Sequence, residues 1–386
     1  MTAPSSEPVI SKETERTSWL GLAAVVATYL SISVAESILA PLFPSIAQAM
    51  DLGISSAGLT FGTLTASIAL GNLAGGWLLR ALPLRAVAVL SLAIASAGCA
   101  FASVSGTFRL LLLSQAAIGL GVGMFFAPGL KAAGLAGGSN RRGLAMGIFG
   151  VAFSAGLAAA AFLAARVGPA DWQVAFVVAS WACAIGLLVL LVIKLPDSPE
   201  VSGRRGGLGA MRLPVMVGTV GTISQYGTVG FLALFAVTSW GFGPAQAATM
   251  LAISRVLSAP GKIVVGSVAD RVGSRVTLRT VVLLLLVTGV GWSLPPPSAL
   301  TTVAAVIFAA TVSALFPIAN LVAFERFGSQ GSMLGTYRSA QIAVGSLAAF
   351  LIGILAESQG LQAVLAVCVL VPAVLLIPLQ KPFPVS

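Results

Sequence analysis

Apolar runs of about twenty residues recur along this chain at 19–42, 55–79, 86–105, 109–135, 143–166, 173–194, 213–238, 245–268, 276–294, 299–323, 333–356 and 362–380. A helix rising about 1.5 Å per residue needs roughly 20 such residues to cross a hydrocarbon slab about 30 Å thick. Each run is therefore read as a membrane span, twelve in all. The runs are continuously apolar and do not alternate with period two, which excludes a closed β-barrel. Composition agrees: 58% of the residues are hydrophobic and 8% charged, against roughly 25% charged in a soluble domain. The chain holds no histidine, so no histidine relay or His-bound metal site is expected. Cys99, Cys183 and Cys368 sit singly inside apolar segments and read as small buried hydrophobes. No cleaved targeting segment is read at the N-terminus, because the first apolar run is too long for a signal-peptide core.

The net charge of +10 does not point to nucleic acid, because the charges fall in short loops between spans. Lys12, Arg16, Arg80, Arg85, Arg141 and Arg142 lie with most of the other basic residues on one set of loops, whereas Arg109 and Arg166 lie on the other. Such asymmetry sets orientation, and it predicts a multi-pass protein of the inner (plasma) membrane with both termini cytoplasmic. The longest polar interruption divides six spans from six. The predicted organisation is a cytoplasmic tail (1–18), a six-helix bundle (19–194), a cytoplasmic linker (195–212), a second six-helix bundle (213–380) and a cytoplasmic tail (381–386).

The halves repeat. An offset of 190 residues lays 243–275 on 53–85 without a gap, matching Gly53 with Gly243, Ala57 with Ala247, Gly71 with Gly261, Gly76 with Gly266 and Arg85 with Arg275. An offset of 189 superposes Pro128 and Pro317. Two similar six-span halves imply an all-α membrane protein of twelve transmembrane helices in two pseudo-symmetric bundles, with a ligand site between them near the midplane.

Gly266-Ser-Val-Ala-Asp270-Arg271-Val-Gly273-Ser-Arg275 resembles the Gly-x-x-x-Asp-Arg-x-Gly-x-Arg loop motif of the major facilitator superfamily. Asp171, Trp172, Gln173 and Phe176 are similar to the pattern that opens that family's sixth span. The resemblance covers nearly the whole chain. It implies that Asp270 meets the start of span 5, around 143–147, where free N–H groups and the helix dipole favour a carboxylate. Arg271 and Arg275 would pair with it or with lipid head groups. The first-half copy has Arg80 where the motif has Asp, and an arginine repels a helix start. The expectation is a one-sided latch and a bias toward opening at the cytoplasmic side.

An ionisable group at bilayer depth costs about 2.5–3.5 kcal/mol even on lenient scales, so each is a functional candidate. Glu36 is the acid well inside a span, about 25 Å along span 1, on one face with Tyr29 and Ser33. It is read either as the proton-coupling carboxyl or as the structural partner of a nearby base. Arg255, about 15 Å into span 8, shares a stripe with Ser258 and Lys262, and Arg338 shares one with Gln341 and Gly345 in span 11. Arginine keeps its proton, so burying Arg255 calls for an anion: Glu36 or a substrate carboxylate. Lys131 is read as snorkelling outward from span 4, with Lys262 as a second case. Counted together, these embedded groups carry a formal +3, which attracts organic anions and disfavours lipophilic cations. Gln115, Gln225, Tyr226, Asn320, Tyr337, Gln341 and Asn72 are the neutral cavity candidates. Spans 3, 6, 9 and 12 are expected to face lipid.

These features predict a proton-coupled secondary transporter of a small organic anion, working as a monomer among membrane lipid, with no cofactor and no nucleic-acid partner. Basic residues in spans 8 and 11 also resemble the small-carboxylate branches of the superfamily, although Leu251 stands where some monocarboxylate carriers place an Asp. The alternatives are a drug:proton antiporter or a lipid-handling carrier on the same fold. The antiporter branch matches the Gly-rich span 5, but this chain has Gly156-Leu157 for its Gly-Pro pair and Gln115 for its span-4 arginine. No phosphate-binding Gly-Lys-Ser/Thr loop occurs. An enzyme would need paired acids or a metal cluster at depth, and none is read.

Overall fold

The computed structural model describes residues 19–377 apart from 53, 139–140, 168–170, 194, 196, 198–207, 243 and 294–297. Both predicted tails, most of the linker, Lys12, Arg16, Lys194, Arg204, Arg205, Lys381 and the Gly53–Gly243 pair lie outside the described residues, as does the side chain of Tyr226. Among the described residues every span is helical. Span 1 comprises Trp19–Ser37 and Leu39–Met50. Spans 2 to 6 are Ile54–Leu78, Leu84–Ser103, Phe108–Ala136, Arg142–Arg166 and Trp172–Val192. Span 7 runs through Leu208–Thr222, Ile223–Thr228 and Val229–Thr238. Spans 8 and 9 are Pro244–Val272 and Ser274–Ser293. Span 10 joins Ala299–Val312 to Leu315–Phe327, span 11 is Gly331–Gln359, and span 12 joins Leu361–Cys368 to the 3₁₀ turn Val371–Leu375.

The interruptions have local causes. Proline lacks the N–H that bonds the carbonyl four residues back, and its ring crowds that carbonyl. Pro41 does this to Ser37 at the break in span 1, and Pro317 does it to Ser313 at the break in span 10. The repeat-matched Pro128 leaves span 4 continuous. In span 7 the six residues Ile223–Thr228 wind as a π-helix, a form that favours functional sites.

Eight of the described helices are long and apolar enough to cross a membrane, belonging to spans 1, 3, 4, 5, 6, 8, 9 and 10. Spans 7 and 12 are interrupted, and span 2 is diluted by Gly, Ser and Thr. That dilution follows from its place, because small residues let membrane helices approach closely. Packing within the halves is equivalent: span 4 lies on 2 and 3 as span 10 lies on 8 and 9, and span 1 lies on 5 and 6 as span 7 lies on 11 and 12. The halves meet along two seams, span 5 on span 8 and span 2 on span 11. Spans 3, 6, 9 and 12 turn large apolar side chains outward, among them Phe101, Trp181, Val287 and Val367. The three cysteines are buried and free.

Candidate functional site

At the end of the bundles that carries the loop motif, span 5 starts without a cap of its own: Arg141 precedes it and its side chain makes no capping bond. Asp270 supplies the cap from span 8. Its Oδ1 accepts from the Gly143 amide at 2.9 Å and its Oδ2 from the Leu144 amide at 3.0 Å, which are orphan donors of a helix first turn. The approach depends on glycine, since a Cβ on Gly143 would fall on Asp270 and one on Gly266 would fall on the Gly143 carbonyl. Gly273 holds φ +88°, a left-handed conformation open to glycine, and so turns the chain from span 8 into span 9. Arg271 is exposed and Arg275 half-buried.

Across the other seam Gly76, the repeat partner of Gly266, lies on the start of span 11. A Cβ there would stand 2.7 Å from the Gly331 carbonyl and 3.1 Å from Gly335 Cα. Arg80 is exposed. Arg85 donates from Nε to the Leu190 carbonyl and from Nη2 to the Leu191 carbonyl, each at 2.6 Å, where free carbonyls end span 6 and favour a cation. The same end is shut further by Phe324 of span 10. Its ring fills the space beside Gly134 of span 4, and the Arg142 guanidinium lies 5.2 Å from its centroid. In this form both seams are closed at this end. Backbone packed on backbone through Gly76, Gly331 and Gly335 closes the seam that lacks a carboxylate.

Deeper along the first seam Lys262 is 1% exposed. It does not snorkel. Its Nζ donates to the Gly150 carbonyl at 2.8 Å and to Ser154 Oγ at 2.7 Å, both on span 5, and stands 5.3 Å from the Phe153 ring centroid. Ser258 continues the seam with a 2.8 Å hydroxyl contact to Ser154. Lys131 behaves differently: its Nζ pairs with Asp197 Oδ1 at 2.9 Å, at the start of the linker.

Arg338 is 7% exposed. Its Nη1 donates to Gln341 Oε1 at 3.1 Å, and its guanidinium lies 4.8 Å from the Phe126 centroid and 5.3 Å from that of Phe316. The other candidates separate into pairs. Arg255, half-buried, donates from Nη1 to Gln225 Oε1 at 3.2 Å, within the π-helical turn of span 7. Tyr337 donates to Asn320 Oδ1 at 3.1 Å. The Gln341 amide donates to the Pro214 carbonyl at 3.2 Å. Gln115 is fully buried in span 4 and neither amide atom is hydrogen-bonded among the described residues, and Asn72 Oδ1 is likewise unbonded. Glu36 is half-buried in the last turn before the break in span 1, one turn beyond the buried Ser33.

The sequence reading missed the rings. Tyr29 stacks on Phe149 at 4.2 Å with 9° between planes, and on Phe125 and Phe153 at 5.9 and 6.3 Å. Phe126 meets Phe149 edgewise at 6.4 Å. A phenylalanine in lipid is unremarked by composition. The available signal was spacing, with Phe149 and Phe153 at i, i+4 beside the polar pair Gly150 and Ser154.

A model of the Major Facilitator Superfamily matches residues 25–349. Two uncharacterized MFS-type transporters of Mycobacterium tuberculosis, from strains CDC 1551 / Oshkosh and ATCC 25618 / H37Rv, are each 27% identical over 256 residues, which is 61% of this chain and 55% of theirs. The chain thus spans about half the length of the curated relatives it matches. Among solved structures, the human organic anion transporter MFSD10 (TETRAN) is similar with a TM-score of 0.79 and 18% identity, over 94% of this chain and 99% of that one. The transporter FucP in its outward conformation gives a TM-score of 0.76 and 15% identity, over 94% and 99%. Likeness at such identity shows the fold alone.

Proposed function

Because the chain belongs to the Major Facilitator Superfamily, we propose that it is a secondary active transporter of a small organic anion, working by alternating access of two bundles at 19–194 and 213–380 joined by the linker 195–212. One observation carries the cargo class. Lys262 and Arg338, 1% and 7% exposed, are held by neutral oxygens and aromatic faces, and among the described residues no carboxylate lies within ion-pair distance of either. Buried cations without a fixed counter-charge favour an anionic guest and oppose a cationic one. Arg255 of span 8, bonded to Gln225 in the π-helical turn of span 7, completes the positive lining. The human organic anion transporter shares the fold, but the reading stands on the cations.

The distribution of Lys and Arg supports a cytoplasmic loop-motif end; on that orientation this form is closed toward the cytoplasm by Asp270 and the paired glycines. Opening there would separate Asp270 from Gly143 and Lys262 from Gly150 while the opposite end shuts. Glu36 is the proton-coupling carboxyl in this scheme, at the point where Pro41 breaks span 1. The test is uptake into proteoliposomes of carboxylates and of cationic dyes, with and without a pH gradient. Carboxylate uptake is expected to fall at least tenfold in Arg338→Gln. In Glu36→Gln it is expected to lose its response to the gradient while exchange persists. Dye transport that survives Arg338→Gln, with no carboxylate transport, would identify a drug antiporter instead.

A further inference from the structure

Resting on that reading, we propose that the site takes a monocarboxylate with a flat aromatic body, the carboxylate on Arg338 and the ring against a wall of aromatic side chains on the opposite half. Lys262 and Arg338, the buried cations with no carboxylate at ion-pair distance among the described residues, come from the C-terminal half, on spans 8 and 11. The rings that run between them come from the N-terminal half, Phe126 on span 4, Phe149 and Phe153 on span 5, and Tyr29 on span 1, while Phe316 of span 10 flanks Arg338 from its own half. From Arg338 the path is 4.8 Å to Phe126, 6.4 Å to Phe149, 4.2 Å to Tyr29, 6.3 Å to Phe153 and 5.3 Å to Lys262. Each step is within the range at which rings attract rings or cations.

The open hydrogen-bonding edge decides the number of carboxylates. Lys262 already gives two N–H bonds to span 5 and lies toward a ring with its remaining face, so it serves as the bridge across the seam. Of the Arg338 nitrogens, only Nη1 is hydrogen-bonded among the described residues. Nε and Nη2 remain, the edge that receives one carboxylate in bidentate fashion. One fork admits one carboxylate.

The rings decide the body. Tyr29 lies within 9–21° of parallel with Phe149, Phe125 and Phe153, so the rings cover one another's faces and form one continuous aromatic layer beside the seam. Phe126 covers the guanidinium by its negative face. An arriving carboxylate displaces that contact and uncovers apolar surface. A guest with its own ring covers the surface again by stacking, whereas acetate or oxalate leaves it against water. The site thus discriminates by the apolar body after the charge is satisfied.

Binding to the purified full-length protein in nanodiscs tests this, by calorimetry with 1-naphthoate, benzoate, acetate, oxalate and neutral benzamide. The expected order is 1-naphthoate, then benzoate, each at least tenfold tighter than acetate, oxalate and benzamide. Phe149→Leu and Phe126→Leu, which keep an apolar side chain, should each reduce the preference for 1-naphthoate over acetate at least fivefold, with size-exclusion profiles confirming folded protein. Arg338→Gln should weaken every carboxylate alike. If acetate and oxalate bind as tightly as benzoate, the aromatic inference is overturned and the anion reading stands. If benzamide binds as tightly as benzoate, or if no carboxylate binds, the anion reading itself falls. Should either Phe variant fail to fold, the ligand series on the unmodified protein still decides between these outcomes.

Discussion

The two seams between the bundles are copies of one arrangement solved in different ways. At spans 5 and 8, Gly266 sits on the Gly143 carbonyl and Asp270 caps the helix beyond it. At spans 2 and 11, Gly76 sits on Gly331 and Gly335, and the position matching Asp270 holds an exposed Arg80. The shared element is therefore the glycine and the variable element is the carboxylate. Close backbone contact alone suffices to shut a seam, and the carboxylate adds an electrostatic term that the other seam does without.

The comparison breaks most severely at the glycine. Gly76→Leu should force spans 2 and 11 apart, because the Cβ alone meets backbone at 2.7 Å. Transport should be lost, and a cysteine placed at Ser332 should react with a membrane-impermeant maleimide more than tenfold faster from the loop-motif side. Asp270→Ala comes next: losing a helix cap costs about 1–2 kcal/mol, a factor of about 5–30 in the closed population. A cysteine at Leu144 reports it by the same labelling, and unchanged reactivity would show that the cap adds nothing to closure. Arg80→Asp restores the missing carboxylate opposite the start of span 11, where Gln330 offers no side-chain cap. It should slow labelling at Ser332 by about two- to fivefold, in line with a gain under 1 kcal/mol at an exposed helix start. The smallest effect on the seams belongs to Lys131→Ala, which breaks the pair with the part-exposed Asp197. The Lys131 side chain is 6% exposed and that of Asp197 40%, so the pair is partly screened; its loss is worth about 1 kcal/mol, and thermal stability in detergent should fall by a few degrees.

The legibility of these features followed their range along the chain. The spans were readable because apolar length is local, and so were the breaks in principle, since Pro41 and Pro317 act four residues back. The glycine pairs were readable because the repeat carries them in register. Lys262 was read as a snorkelling residue for want of its partners, Gly150 and Ser154, which lie 112 and 108 residues away in sequence. The substrate candidates gathered from the sequence as one set are divided in space: Tyr337 with Asn320 and Gln341 with Pro214 join helices of the C-terminal half. A polar residue in a span serves helix packing and ligand binding with the same chemistry, and spacing along one helix does not separate the two.

By itself the sequence determined the solvent, the number of crossings and the division into matched halves, because hydrophobic length and internal repetition are properties of consecutive residues. The tertiary structure alone decided that Lys262 and Arg338 of one half meet Phe153 and Phe126 of the other. That meeting depends on how spans 1, 4 and 5 dock against spans 8 and 11, and side-chain contact across a helix interface is set by the packing of distant segments.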